Sequence, residues 1–201
     1  MSRIRIVLPF LETERIYLRE LRRSDAPDIY RYAQSPEVGP RAGWQPHANL
    51  DDTYRFIDYA IRKKDFGQPG LFVIMHKADK RLIGTIEIHS YQEHKGEIGF
   101  VLDPDYWNQG LITEAAKAVI VWAMEGLELK RLTYCHFPDN LASKRVCEKL
   151  GFTFEGVLRN KFLMYDGTVR DDVTYSITDE DYFGGRIDWV ERFKQDLFID
   201  Y

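Results

Sequence analysis

The sequence predicts a mixed α/β fold of the α+β kind, with a mostly antiparallel central sheet flanked by helices. Three observations predict it. Short apolar or alternating segments lie between turn residues, as strands do. Other segments repeat their apolar residues with the helical period. The two kinds are interleaved along 201 residues without a repeat or low-complexity linker. We therefore expect one domain over residues 1–201, with a core from 11 to 178 and an extension from 179 to 201.

The N-terminal part is predicted to hold one strand and two helices around a loop. Residues 15–21 alternate like a half-buried strand. Ser24 is a suitable N-cap, so a helix follows it to about residue 34. Residues 36–48 carry three prolines and two glycines and are predicted to form a loop. A second helix begins after a cap near Asn49.

The rest of the chain is predicted to be a meander followed by alternating elements. Residues 71–75, 82–88 and 97–102 form the antiparallel meander. A helix over 111–126, a strand over 131–137, a helix over 140–150 and strands over 152–158 and 169–177 follow. The extension opens on a capping pattern at Thr178 and is predicted to be helical. The total is about seven strands and about four helices before that extension.

Composition excludes several classes of protein. The net charge is −4 with both signs interspersed, which argues against direct nucleic-acid binding. The first residues, MSRIRIVLPF, hold too short an apolar run for a signal peptide, and no later run would span a membrane. The two cysteines form no framework, and the histidines have no metal-ligand spacing. We expect a cytoplasmic protein without a metal or a membrane partner, either a monomer or a homodimer.

One turn has the character of an anion site. The residues from Asn108 to Thr113 lie between a strand and a helix, where backbone N–H groups and the helix dipole favour phosphate. Gly110 would let a ligand approach closely. Many such turns bind nothing, so the turn alone decides little. The P-loop and dinucleotide-binding glycine patterns are both missing from the sequence.

The order of several motifs resembles the GCN5-related N-acetyltransferase (GNAT) superfamily. These motifs are EIGF, YWNQGLITEA and DNLASKRVCEKLGF followed by EG. Within the superfamily, the chain is most similar to the branch that acetylates ribosomal-protein N-termini at Ser or Ala, to which TERIYLREL, GWQPH and DDVTYSIT also point. The resemblance implies the GNAT fold, acetyl-CoA as co-substrate, no metal, and an amine acceptor as partner.

The resemblance also implies which residues bind acetyl-CoA. The pyrophosphate loop of the family falls on residues 107–112, with departures at Trp107 and Ile112. Three segments supply the predicted binding residues: the strand that pairs with the pantetheine arm, the pyrophosphate loop, and the start of the helix after residue 140. They are Phe100, Val101, Leu102, Asn108, Gln109, Gly110, Leu111, Ile112, Thr113, Asn140, Ser143 and Arg145.

For catalysis, the resemblance implies Glu97 as the base that takes the proton of the amine, and Ser143 as the donor to the leaving thiolate. Glu87 and Glu97 have the same parity on neighbouring strands, so mutual repulsion would make one easier to protonate. The alternatives are two solvated glutamates and a serine that only caps its helix. The ribosomal-protein branch uses a glutamate at a position aligned with Phe162, which leaves the base and the acceptor open.

Acceptor recognition is predicted at Trp44, His47 and Glu87. Trp44 would pack on the acceptor or hold its ammonium by a cation–π contact, or it would only cover the edge of the core. Three functions stay open: an N-acetyltransferase for a protein α-amine, the same enzyme for a small amine, and a non-catalytic CoA-binding module.

Overall fold

A computed structural model describes residues 6–201. Residues 1–5, which belong to the predicted domain and to the N-terminal run tested for a signal peptide, lie outside the described residues. All described strands join one sheet of nine strands in the order β7-β8-β6-β5-β4-β3-β2-β1-β9. The strands are β1 (Phe10–Glu12), β2 (Ile16–Glu20), β3 (Leu71–His76), β4 (Arg81–Gln92), β5 (Lys95–Leu102), β6 (Arg131–His136), β7 (Thr153–Leu163), β8 (Val169–Thr178) and β9 (Phe198–Asp200).

Six α-helices cover the sheet, and their ends follow the capping signals in the sequence. They are α1 (Ala26–Ala33), α2 (Leu50–Arg62), α3 (Leu111–Val121), α4 (Leu141–Leu150), α5 (Asp179–Phe183) and α6 (Val190–Lys194). Asn49 and Thr178 each form a capping box at the start of a helix. Gly151 ends α4 in the left-handed conformation, with φ +84°. A π-helical turn, Trp122–Gly126, extends α3.

The core has two parts because alternate residues of the strands point to opposite faces. In β3, Phe72 and Ile74 pack with α3 and α4, whereas Val73 and Met75 pack with α1 and α2. The sheet thus carries one pair of helices on each face. The predicted mixed, mostly antiparallel α/β architecture is confirmed.

The predicted number of strands was too low, because two of the strands have only three residues. The sheet has nine described strands rather than about seven, whereas the four helices before the extension were predicted. The extension is not only helical, since β9 pairs antiparallel with β1. Segments of three residues are too short for alternation to be recognised. Within the described residues, no helix is long and apolar enough to cross a membrane.

The feature that shapes the site is the pairing of β5 with β6, the one parallel pair among the described strands. The two strands are in register from Lys95–Arg131 to Ile98–Tyr134. Beyond that point they no longer pair, although β5 continues to Leu102. The strands therefore diverge towards their carboxyl ends, and a gap opens in the middle of the sheet.

The C-terminal extension is held against α3 and α4 by Trp189. Its indole N–H donates to the Leu150 carbonyl oxygen at 3.0 Å. The Lys117 ammonium lies 4.9 Å from the centre of the Trp189 ring. The side chain is 9% exposed, so it joins the extension to the main core.

We expect Trp189→Ala to lower the free energy of unfolding by about 3 to 5 kcal/mol, because it leaves a cavity in the core. Trp189→Phe keeps a ring but loses the indole hydrogen bond, so we expect a smaller loss of about 1 to 2 kcal/mol. Urea unfolding measures both values. Phe66, which is 71% exposed, is the control, and its replacement by Ala should change stability by less than about 0.5 kcal/mol. Equal losses in all three variants would contradict a packed extension.

Candidate active site

The gap between β5 and β6 opens into a cleft of about 1960 Å³. The first turns of α3 and α4 form one side, and the loop 36–48 lies across from them. Most of the site residues predicted from the sequence line this cleft. They are Trp44, Glu87, Glu97, Phe100, Val101, Leu102, Asn108, Gly110, Leu111, Ile112, Thr113, Asn140, Ser143 and Arg145.

Two predicted site residues do not line the cleft. The Gln109 side chain donates to the backbone oxygen of Asp105 at 3.1 Å. His47 lines a smaller neighbouring cavity instead, and its Nδ1 lies 2.8 Å from the Thr53 hydroxyl. Burial lowers the pKa of the His47 imidazole, so this side chain is neutral at pH 7.

The start of α3 presents unused backbone donors to the cleft. Gly110 has φ +77° and caps the helix without any side-chain hydrogen bond. The first backbone bond of this helix runs from Glu114 N–H to the Gly110 oxygen, so the N–H groups of residues 111–113 point out of the helix end. Free N–H groups and the helix dipole together favour an anion at this place.

Arg15, which the sequence analysis did not single out, holds this turn in place. Its guanidinium donates to the Gln109 carbonyl oxygen at 2.8 Å and to the Glu114 carboxylate at 2.7 Å. Ninety-four residues separate Arg15 from Gln109. No local pattern could have connected the two, because the contact depends on β2 lying beside α3.

The departure from the family pattern at Trp107 has a structural role. Its indole N–H donates to the Leu102 carbonyl oxygen at 2.9 Å, at the very end of β5. The guanidinium of Arg41 stacks 5.2 Å from the Trp107 ring. Trp107 thus braces the strand end and its loop, and the β5 edge at Phe100 and Val101 stays open towards the gap.

Ser143 and Tyr134 form a hydrogen-bonded pair on one wall of the cleft. Asn140, rather than Ser143, caps α4, because its side-chain oxygen accepts from the Ser143 N–H at 3.2 Å. The Ser143 hydroxyl is therefore not used as a cap, and it lies 2.7 Å from the Tyr134 hydroxyl. Burial raises the pKa of Tyr134 well above its ordinary value, so this phenol stays protonated. When Tyr134 donates to Ser143, the serine proton is free to point into the cleft.

The opposite wall carries the carboxylates. The register places His89 opposite Glu97 and Glu87 opposite Gly99, so Glu87 and Glu97 share a face as predicted. The Lys63 ammonium lies 3.1 Å from the Glu87 carboxylate and neutralises it. The expected repulsion between the two glutamates is therefore relieved, and the Nε2 atom of His89 lies 3.8 Å from Oε1 of Glu97.

Asp172 on β8 is a second carboxylate in the cleft, and the sequence analysis missed it. Only 9% of the residue is exposed, and no salt bridge to it occurs among residues 6–201. Burial, and after it the negative charge of Glu97, raises the pKa of the Asp172 carboxyl. The signal was in DDVTYSIT, where a carboxylate occupies a position on an otherwise buried strand.

The thiols do not supply a nucleophile. Cys135 lines the cleft beside Glu97 and Asp172, and burial and these charges raise the pKa of its thiol. Burial likewise raises the pKa of Cys147 to about 12. Both cysteines are free. A thiol that resists ionisation is a poor nucleophile, which argues against an acyl-cysteine intermediate.

Phe162 closes the cleft where the loop 36–48 meets β7. Its ring packs edge-on against Phe137, with 5.2 Å between the ring centres. It also touches Gly43, where φ is +86° and an added Cβ would collide with the Phe162 ring. A glycine at position 43 is therefore required, and the position aligned with a family glutamate carries an apolar contact instead.

Residues 15–153 match the protein-family profile described as an acetyltransferase (GNAT) domain. The chain belongs to the GNAT acetyltransferases. It is therefore an acetyl-CoA-dependent acyltransferase, which is the enzyme class that the resemblance implied. In the described part of this acetyltransferase, no cluster of three or more His, Cys, Asp or Glu side chains could hold a metal ion.

Relatives and solved structures agree with this assignment. The uncharacterized N-acetyltransferase YoaA of Bacillus subtilis is 32% identical, over 85% of this chain and 97% of that protein. The ribosomal-protein-serine acetyltransferase of Escherichia coli is 30% identical, over 61% of this chain and 68% of its own length. The crystal structure of a GNAT acetyltransferase from Bacillus anthracis has a TM-score of 0.75 and 27% identity, over 85% of this chain and 99% of that one.

We expect Gly110→Val to raise the KM for acetyl-CoA about tenfold, equivalent to about 1.4 kcal/mol of binding. The side chain would stand in front of the free N–H groups of the α3 start. Gly167→Val is the matched control, because Gly167 has the same left-handed backbone, with φ +85°, and no atom within 4 Å of an added Cβ. Both variants should lose similar stability, but only Gly110→Val should change the KM. An equal KM in both would mean that this turn does not bind acetyl-CoA.

Proposed function

We propose that this acetyltransferase transfers an acetyl group from acetyl-CoA directly to a primary amine, and that the amine is a protein N-terminal α-amine. The observation that carries the proposal is the gap between β5 and β6. The carboxylates of Glu97 and Asp172 lie on one side of this gap and the Ser143 hydroxyl lies on the other, so an amine and a thioester can meet between them. The similarity to the ribosomal-protein-serine acetyltransferase of E. coli supports the protein acceptor.

The residues around the gap fit acetyl-CoA, although the sites themselves are proposals. The open edge of β5 at Phe100 and Val101 offers backbone groups to an extended amide chain, as a neighbouring strand would. The N–H groups of residues 111–113 offer an anion site for the pyrophosphate. Arg145 lines the same cleft and can reach a phosphate. When bound, acetyl-CoA supplies an acetyl group already activated as a thioester.

Glu97 and Asp172 prepare the amine. An amine arrives as an ammonium ion, and the buried, unpaired charge of Asp172 favours a cation beside it. Glu97 takes the proton of that ammonium, directly or through one water, which leaves a neutral nitrogen with a free electron pair. Holding this nitrogen next to the thioester supplies much of the remaining acceleration.

Ser143 and Tyr134 act on the other side of the reaction. The Ser143 hydroxyl donates a hydrogen bond towards the sulfur as negative charge develops there. The Tyr134 phenol, which burial keeps protonated, forms a hydrogen bond with the Ser143 hydroxyl, and this bond leaves the Ser143 proton available when Tyr134 is its donor. The proton for the departing thiolate comes from this pair and is replaced from solvent.

A small amine is the second candidate acceptor, and Phe162 is the observation that favours it. The contact of Phe162 with Gly43 joins the loop 36–48 to β7 and narrows the acceptor side of the cleft. The test is a thiol-release assay on peptides with free N-terminal Ser or Ala, with Nα-blocked peptides as controls, and on polyamines, amino acids and aminoglycosides. Turnover of peptides with the acetyl group located on the α-nitrogen supports the proposal. Turnover of small amines alone selects the second candidate.

We expect Glu97→Gln to lower kcat at pH 7 about 100-fold, which is typical for the loss of a general base. The KM for acetyl-CoA should stay unchanged. Glu93→Gln is the control, since Glu93 is exposed in the turn between β4 and β5. Wild-type activity in Glu97→Gln would assign the base to water or to another group.

We expect Asp172→Asn to lower kcat/KM for the amine and to raise stability at pH 7. Because folding raises the pKa of Asp172, its protonated form is favoured in the folded state. That contribution is present at low pH and is lost as the pH rises through the folded pKa. The stability gain of the Asn variant should therefore be small at pH 4 and larger at pH 7, by urea unfolding. Asp65→Asn, at an exposed position, should show neither effect. A loss of stability at pH 7 would make Asp172 structural.

A further inference from the structure

A second cavity of about 320 Å³ lies next to the cleft, between α1, α2 and the sheet. The two spaces share the walls formed by Ala42, Trp44, Glu87, His89 and Gly99–Val101. The shared stretch of β5 includes the edge proposed to pair with the amide chain that carries the thioester of acetyl-CoA. A group that enters the second cavity would therefore be attached to an atom close to the reacting nitrogen.

The chemistry of this cavity is aromatic and almost uncharged. Trp44, His47 and Phe56 form one continuous wall, with ring centres 5.3 Å and 5.9 Å apart. Of the described residues that line the cavity, Glu87 alone carries a formal charge apart from the histidines, and Lys63 already neutralises it. Such walls favour a flat apolar group over a charged or strongly hydrated one.

Tyr32, on α1, lines the same cavity and is 2% exposed. Its hydroxyl is itself fully buried beside Thr85, so the residue offers the cavity its ring rather than a polar group.

We propose that this cavity receives an aromatic substituent on the carbon chain of the acceptor amine. The inference rests on the proposed function and deepens it. The acceptor is then an arylalkylamine or a peptide whose first residue is aromatic. A side chain as small as that of Ser or Ala would leave most of the cavity empty.

The test compares acceptors in two series and reads both turnover and binding. The amines are tyramine, phenethylamine and ethylamine, and the peptides differ only in an N-terminal Tyr, Phe or Ala. We expect kcat/KM to be about 100-fold higher for the aromatic acceptors than for the smallest one, since each methylene in an apolar pocket contributes about tenfold. The two series distinguish a small amine from a protein N-terminus.

Two variants locate the effect. Ala42 is exposed and lines the second cavity, so Ala42→Phe should fold and place a ring in that cavity. We expect it to remove the preference for aromatic acceptors without changing the KM for acetyl-CoA. Ala48→Phe, also exposed but lining neither space, is its control.

Calorimetric binding of phenethylamine and ethylamine in the presence of CoA separates this inference from the proposed function. If phenethylamine binds more tightly than ethylamine, and Ala42→Phe abolishes this difference, the cavity proposal is supported. If the same result is obtained although no acceptor is turned over, only the proposed function fails. Equal response to aromatic and small amines in turnover and in binding overturns the inference. An aromatic preference that survives Ala42→Phe also overturns it, because the preference would then arise elsewhere.

Discussion

The site depends on one constraint, which is that β5 and β6 run parallel and pair over only four residues. Parallel neighbours need a long connection, and here the connection is the α3 turn and helix. The carboxyl ends of both strands therefore meet at the same place as the N-terminus of α3. Because pairing ends after Ile98 and Tyr134, this place is a gap with unused backbone groups on one edge. The remaining features of the site take their positions from that gap.

The hydroxyl pair and the carboxylates line opposite walls of the gap because they belong to opposite faces of the sheet. Alternation along β6 sends Tyr134 towards α4 and Cys135 towards the opposite face, where Glu97 and Asp172 lie. A proton donor and proton acceptors are thus separated by the thickness of the sheet.

Much of this could be predicted from the sequence, and the failures have physical causes. The capping residues Asn49 and Thr178 located helix starts because capping is local. The strand β9 has three residues and forms only through its pairing with β1, so no local pattern marks it. Arg15 was missed for the same reason, since it acts on residues far away in the chain. Asp172 did leave a local signal, a carboxylate on a mostly buried strand. The ion pair between Lys63 and Glu87 could not be predicted either, because it depends on packing between two distant segments.

The contact between Gly43 and Phe162 has a consequence for how such enzymes can be recombined. One residue lies in the loop before α2 and the other lies near the end of β7, and a side chain at position 43 would collide with the Phe162 ring. A chimera that takes its loop from a relative must therefore take the matching residue of β7 with it. The loop 36–48 and the end of β7 therefore have to be exchanged together, although they are far apart in the chain.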